Sequence, residues 1–351
     1  MTAPVLEVRD LDVDIPVSHG RLHAVRGVSL SVGSGESVGL VGESGSGKSL
    51  TLRALLGVLP RPARIQGGTV LIDGEDVTGL PAKQLHTRLT DTMSMIFQDS
   101  LTALNPVMRV GDQIAEAPRH KLGKSRRQAH AIAVELMSQV GIADAEKRYD
   151  LYPHQLSGGM RQRICIAIAM STSPRVILAD EPTTALDVTI QAQVLSVLRR
   201  LKEEEGVGLL LVSHDLAVVS QTCSRLYVMY AGKVVEAGGL TELVNRPRHP
   251  YTFALLRSVP DADHRVDRLI TIQGQPPDLS QVIHGCSFSP RCPFAVEHCM
   301  AQEPPLAHVG ALDASGSSTH PVISQRRSAC WRADTADSWP AMITSELVEQ
   351  R

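Results

Sequence analysis

The chain has 351 residues, 43% of them hydrophobic, and its 35 Lys and Arg stand against 37 Asp and Glu for a net charge of −2. Such a length and apolar content support one large or two smaller cores, while the only basic runs are short pairs such as Arg126-Arg127 and Arg326-Arg327, so no polybasic face is offered to nucleic acid. The opening Met-Thr-Ala-Pro-Val-Leu-Glu has neither a charged start nor an apolar h-region, and no segment reaches the roughly 18–20 apolar residues of a membrane span. The chain is therefore expected in the cytosol, with any channel in another polypeptide.

In chain order, Val38-Gly39-Leu40-Val41 reads as a short buried strand. Gly42-Glu43-Ser44-Gly45-Ser46-Gly47-Lys48-Ser49 after it fits G-x-x-x-x-G-K-[ST], and Ser49 to Leu56 reads as the helix it opens. Glycines let the backbone turn its N–H groups inward, and the helix N-terminus adds partial positive charge. Lys48 can reach the β- and γ-phosphates and Ser49 can ligate magnesium. A plain Gly/Ser turn explains the glycines but not the strand, turn and helix in register. Ile72-Asp73-Gly74-Glu75 predicts a hairpin, and Gln98 follows the apolar Met95-Ile96-Phe97.

Residues 99–170 are predicted mainly helical, including a helix from Ser125 to Val140. Leu156-Ser157-Gly158-Gly159-Met160 then precedes an apolar helix over Ile164 to Met170. The Ser157 hydroxyl with the Gly158 and Gly159 amides makes a second anion site at that helix's start. A Ser N-cap explains Ser157 alone. Arg175 to Glu181 is a β-branched strand ending in two carboxylates, Asp180 suited to a magnesium shell and Glu181 to polarising a water. A mere N-cap pair is the plainer alternative. Leu209-Leu210-Leu211-Val212 reads as a strand leading to His214. Residues 1–95 and 171–240 alternate strands and helices as an α/β core should.

Together these strings resemble the ATP-binding cassette (ABC) ATPases, whose two subunits clamp ATP between the cradle of one and the signature of the other. The resemblance implies an ABC-type nucleotide-binding domain over residues 1–240, with a RecA-like core, an antiparallel β subdomain and a helical signature subdomain at about 99–170. ATP and Mg2+ are the implied cofactors. Gln98 matches the Q-loop that senses magnesium and the γ-phosphate, Thr184-Ala185-Leu186-Asp187 the D-loop at the dimer seam, and His214 the switch histidine. The family's adenine-stacking aromatic is missing, since no Phe, Tyr or Trp precedes Phe97. Ile15, His19, Arg21 and His23 are the replacements available.

Phe97 to Met108, Tyr152-Pro153-His154-Gln155 and His249 to Leu256 resemble the dipeptide and oligopeptide importer ATPases, with Gln155 where Glu is usual. That resemblance implies ATP hydrolysis driving peptide uptake at the cytoplasmic face of the membrane. Its implied partners are a second, related ATPase subunit as heterodimer, two transmembrane permease subunits and an extracytoplasmic solute-binding protein. Importers of nickel or other solutes share much of the pattern, and a soluble redox-responsive cassette is a further alternative. Too few residues separate Lys48 from Ser157 for the long coiled coil of DNA-repair cassettes.

After residue 240 Pro, His and Cys accumulate. Residues 241–331 form the expected extension, with a Gly/Ser-rich loop around Ala314 to Ser318, and 332–351 are expected to be a weakly ordered tail. Cys286, Cys292, Cys299 and Cys330 lie in the extension. Four thiolates suit a cubane iron–sulfur cluster or tetrahedral zinc, and the spacing chooses neither; free buried thiols are the third reading. Resemblance to the peptide-importer extension implies a 4Fe-4S cluster on these four cysteines. Cys165 and Cys223 sit in apolar strings and read as core.

Overall fold

The computed structural model describes residues 4–18, 20–184, 186–258, 272–309 and 326–339. Strands β1 (Leu6–Val17) and β2 (Gly20–Val32) pair antiparallel from Leu6↔Val32 to Val17↔Gly20. β3 (Ser37–Val41) is buried at every position and joins a different sheet, and α1 (Lys48–Leu55) follows it. β4 (Arg64–Ile72) and β5 (Glu75–Asp76) return to the first sheet, ordered β2-β1-β4-β5. Their turn is Asp73-Gly74 with φ of 53° and 82°, so the hairpin expected there forms with both central residues left-handed.

α2 (Ala82–Thr92) leads into β6 (Met93–Ile96). Next come α3 (Ser100–Ala103), α4 (Val110–His120), α5 (Arg126–Gln139), α6 (Ala145–Arg148) and α7 (Gly158–Met170). α5 starts at a capping box in which Ser125 Oγ accepts from Gln128 N–H and Gln128 Oε1 accepts from Ser125 N–H. Ile114, Ala133, Met137 and Ile164 bury the facing sides of α4, α5 and α7.

β7 (Val176–Asp180), α8 (Val188–Glu205), β8 (Gly208–Ser213), α9 (Leu216–Thr222), β9 (Arg225–Tyr230) and β10 (Lys233–Gly239) complete the core. β6, β7, β8, β3 and β9 are parallel neighbours, and β10 closes on β9 antiparallel. The parallel strands are apolar without alternation because both faces are covered. Ile177, Ala179, Leu209, Leu211 and Val228 join the core shared with the helices. Their neighbours Val176, Leu178, Leu210, Val212 and Met229 face the core shared with α1 and the antiparallel sheet. Five strand ends therefore open toward one edge, where α/β sheets place ligands.

The extension continues through α10 (Leu240–Asn245), α11 (Pro250–Arg257), α12 (Glu297–Ala301), β11 (Ala307–His308) and β12 (Arg327–Ser328). β12 pairs antiparallel with β10 and carries β11, so the extension lengthens the core sheet to eight strands. The expected tail is corrected here. Ala333–Ser338 form a 3-10 turn and Trp339 is fully buried, stacked 5.1 Å from Phe294 and edge-on 6.1 Å from Phe253. Burying an indole overrides the polar composition around it. Residues 340–351 and the loop at 314–318 lie outside the described residues.

Candidate active site

The cradle wraps the start of α1. Gly42 has φ 155°, and a Cβ there would stand 2.1 Å from the Met229 carbonyl oxygen, so only glycine lets the loop lie against β9. Lys48 is 5% exposed and its Nζ donates to the carbonyls of Gly42 and Glu43, both at 2.8 Å. Burial holds its pKa below the ordinary lysine value, opposed by Glu181, Asp180 and Glu43. Ser49 Oγ donates to Asp180 Oδ1 at 2.8 Å. Asp180 is 1% exposed, and burial raises its pKa against the Ser49 hydrogen bond. A hydroxyl and a carboxylate at this separation are the oxygen donors that magnesium prefers.

Glu181 directly follows β7 with φ 45°, a left-handed conformation costing a non-glycine residue about 1–3 kcal/mol. Its N–H donates to Val212 O, and Thr184 N–H donates to its carbonyl, which fixes the turn. Three side chains then converge on the carboxylate. Gln98 Nε2 donates to Oε2 at 2.9 Å, Thr184 Oγ1 donates to the same oxygen at 2.9 Å, and His214 Nδ1 lies 3.1 Å from Oε1. Residues from β6, β7, β8 and α1 thus meet at one strand-end site.

Ser157, Gly158 and Gly159 stand apart from it. Ser157 Oγ accepts from Met160 N–H and caps α7. A Cβ on Gly159 would lie 2.5 Å from Ile190 Cγ2, so that glycine allows α7 to pack against α8. The hydrogen bonds of Ser157 stay within its own helix.

Among the candidates for the missing adenine contact, Asp14 is the feature the sequence did not announce. It is 5% exposed, and His23 Nδ1 lies 2.8 Å and Arg21 Nη1 3.9 Å from its carboxylate. Arg21 and His23 both lie against this acid; Ile15 is half-buried, and His19 lies outside the described residues. Glu43 is reached from the extension by Tyr251 and Arg291, contacts between residues too distant in sequence for any spacing to signal.

The cysteines of the extension, Cys286, Cys292, Cys299 and Cys330, line one small cavity with Phe288 and Phe294. All four are free, and burial pushes the thiols of Cys292 and Cys330 up to about 12. Among the described residues no group of three or more His, Cys, Asp or Glu could hold a metal ion, so the 4Fe-4S and zinc expectations gain no support from side-chain placement. Cys165 and Cys223 are buried in the core, each raised to about 12 by desolvation. Among the described residues no helix is long and apolar enough to cross a membrane.

The ABC transporter family pattern matches residues 25–184, and that of the oligopeptide/dipeptide transporter C-terminal region matches residues 235–299. A Brucella melitensis protein named for peptide import and ATP binding is 45% identical over 87% of this chain and 94% of its own. The oligopeptide transport ATP-binding protein OppD of Salmonella typhimurium is 44% identical over 86% and 90%. Among solved structures, the dimeric ATP-binding cassette MJ0796, in a post-hydrolysis state with ADP and Pi, is 26% identical with a TM-score of 0.60, over 67% of this chain and 98% of that one. A glycine-lined cradle, a carboxylate pair at a strand end and a capped Leu-Ser-Gly-Gly helix agree with those matches, and the chain belongs to the ABC transporter ATPases of the oligopeptide and dipeptide importer family.

Proposed function

We propose that the chain hydrolyses ATP at the site around Lys48, Ser49, Asp180 and Glu181 to drive uptake of oligopeptides through separate permease subunits at the cytoplasmic face of the membrane. The convergence of Gln98, Thr184 and His214 on Glu181 carries this reading. These contacts hold the Glu181 carboxylate in place at the strand end. Entry of the γ-phosphate gives those donors an anion to engage and frees Glu181 to accept a proton from water. Lys48 exchanges the carbonyls of Gly42 and Glu43 for phosphate oxygens. Ser49, Asp180 and Gln98 would hold Mg2+, which when bound neutralises charge on the transferring phosphoryl group.

In this reading Ser157, Gly158 and Gly159 serve the nucleotide held by an opposing cassette, as the family resemblance implies; among the described residues Ser157 bonds only within its own helix. A second, related ATPase, two permease subunits and a solute-binding protein complete the assembly in this reading. The helical region at 99–170 faces the permease, and 241–331 forms a separate functional unit on the core. Cys286, Cys292, Cys299 and Cys330 would hold a 4Fe-4S cluster, whose thiolate bonds crosslink the extension. Resemblance to the peptide-importer extension favours the cluster over zinc; the placement of the four side chains favours neither. Binding either group requires the raised thiols to lose their protons.

The complex in liposomes, with solute-binding protein supplied, tests the function. Peptide should stimulate ATP turnover, and stimulation by nickel with none by peptide would replace the cargo. Iron and acid-labile sulfide should accompany anaerobically purified protein; stoichiometric zinc without sulfide would reject the cluster.

A further inference from the structure

Glu43, the second residue of the cradle, is held from several directions. Its carbonyl accepts from Lys48 Nζ at 2.8 Å and from Ser46 N–H. Its backbone N–H donates to Tyr251 Oη at 2.7 Å. Its carboxylate takes both arms of one guanidinium: Arg291 Nη1 donates to Oε2 at 2.8 Å and Nη2 to Oε1 at 3.1 Å. The Arg291 side chain is 5% exposed and that of Glu43 26%, so the pair is shielded. Arg291 is itself fixed, its Nε donating to Gln273 O and its Nη2 to Ile272 O. It ends a 3-10 turn, Ser289–Arg291, that begins three residues after Cys286 and stops at Cys292.

We propose that Arg291 is a positioning residue for ATP binding: it latches Glu43 and so holds the phosphate cradle in its receptive form. Glycines let this loop curl around phosphate, and the same freedom lets an empty loop leave that shape. A bidentate charge-assisted pair in a shielded place is stiff as well as strong. The Glu43 carbonyl is one of two that hold Lys48 ready, so fixing Glu43 also fixes where the lysine waits. Both anchors on Glu43 come from the extension, Tyr251 from α11 and Arg291 from the cysteine-bearing turn. Whatever orders that turn therefore orders the cradle. The latch rests on the assignment of residues 42–49 as the ATP site.

The test is Mg-ATP titration of the purified full chain, paired with turnover by the assembled complex. If the parent chain binds no ATP, the site assignment fails rather than the latch. Given binding by the parent, Arg291→Met should weaken affinity about tenfold, the size of one lost charge-assisted interaction. KM for ATP should rise by a similar factor, with kcat at saturation within about twofold, because bound phosphate orders the loop once it arrives. Arg291→Lys should recover part of the loss. In a Glu43→Gln background, Arg291→Met should add little, whereas the same tenfold loss there would mean that Arg291 acts on the phosphates by its own charge and would overturn the latch. Parent-like affinity in Arg291→Met overturns it as well. Should that variant not fold, Tyr251→Phe removes the other anchor without changing charge; about threefold weaker binding upholds the latch, and unchanged binding sinks it.

Discussion

The phosphate cradle and the cysteine cavity both bring candidate binding groups together, by opposite means. The cradle is eight consecutive residues whose shape comes from the backbone, and its tolerance for side chains is set by contacts such as that of Gly42 with the Met229 carbonyl. The cavity is four side chains from separate segments, brought together by Cys286 N–H on Cys299 O, by the pairing of β12 on β10 and by the aromatic packing of Trp339. A local device keeps its fold when distant segments change, apart from single anchors such as that of Arg291 on Glu43. A non-local one depends on every segment that feeds it.

The sharpest way to break the cradle side is chemical rather than structural. Glu181→Gln keeps Ser49 and Asp180 but removes the carboxylate that takes a proton, and loss of such a contact costs about 10²–10³ in rate. Turnover should collapse while Mg-ATP binding persists, as measured on the assembled complex and the isolated chain; near-normal turnover would remove Glu181 from the chemistry. Ser157→Arg should abolish turnover in the complex with ATP affinity of the isolated chain intact. Equal loss of both would make Ser157 a helix cap and nothing more.

On the cavity side, Trp339→Ala removes a fully buried indole and should destabilise the extension by about 3–5 kcal/mol. Limited proteolysis should then cut within residues 272–309, with ATP binding weakened no further than in Arg291→Met, and an unchanged digestion pattern would show that the extension does not need the indole. Cys330→Ser should lower iron content and leave the core's thermal transition in place; wild-type iron would exclude Cys330 as a ligand. The smallest effect belongs to the adenine side. Arg21 is mostly exposed and only 3.9 Å from Asp14, so Arg21→Ala should weaken ATP binding by no more than a cation–π contact, about 0.5–1 kcal/mol. No change in affinity would leave the base to Ile15, His19 or His23.

What was legible in the chain follows the same division. The strands at 38–41, 176–180 and 209–212 were readable because parallel strands covered on both faces are apolar throughout, and the cradle was readable because its eight residues are contiguous. The Asp73-Gly74 hairpin was readable from turn chemistry. Trp339 reads as part of a tail because one large aromatic in a polar stretch has no periodicity to reveal burial. Asp14 was invisible for a related reason: its partners His23 and Arg21 lie across a strand pair broken by irregular register, so no spacing rule connects them. The bidentate grip of Arg291 on Glu43 bridges most of the chain, and only folding brings them together.

The pairing of β12 with β10 has a consequence for solubility. β10 is a seven-residue strand buried at nearly every position, and without a neighbour on that side it would present a ladder of unpaired N–H and C=O groups to other molecules. The extension covers the middle of that ladder, at Val235 to Ala237, and leaves β11, two residues long, as the outermost strand. A chain shortened before Arg326 would trade a blunt sheet margin for an adhesive one, and should self-associate through it even with its nucleotide site intact.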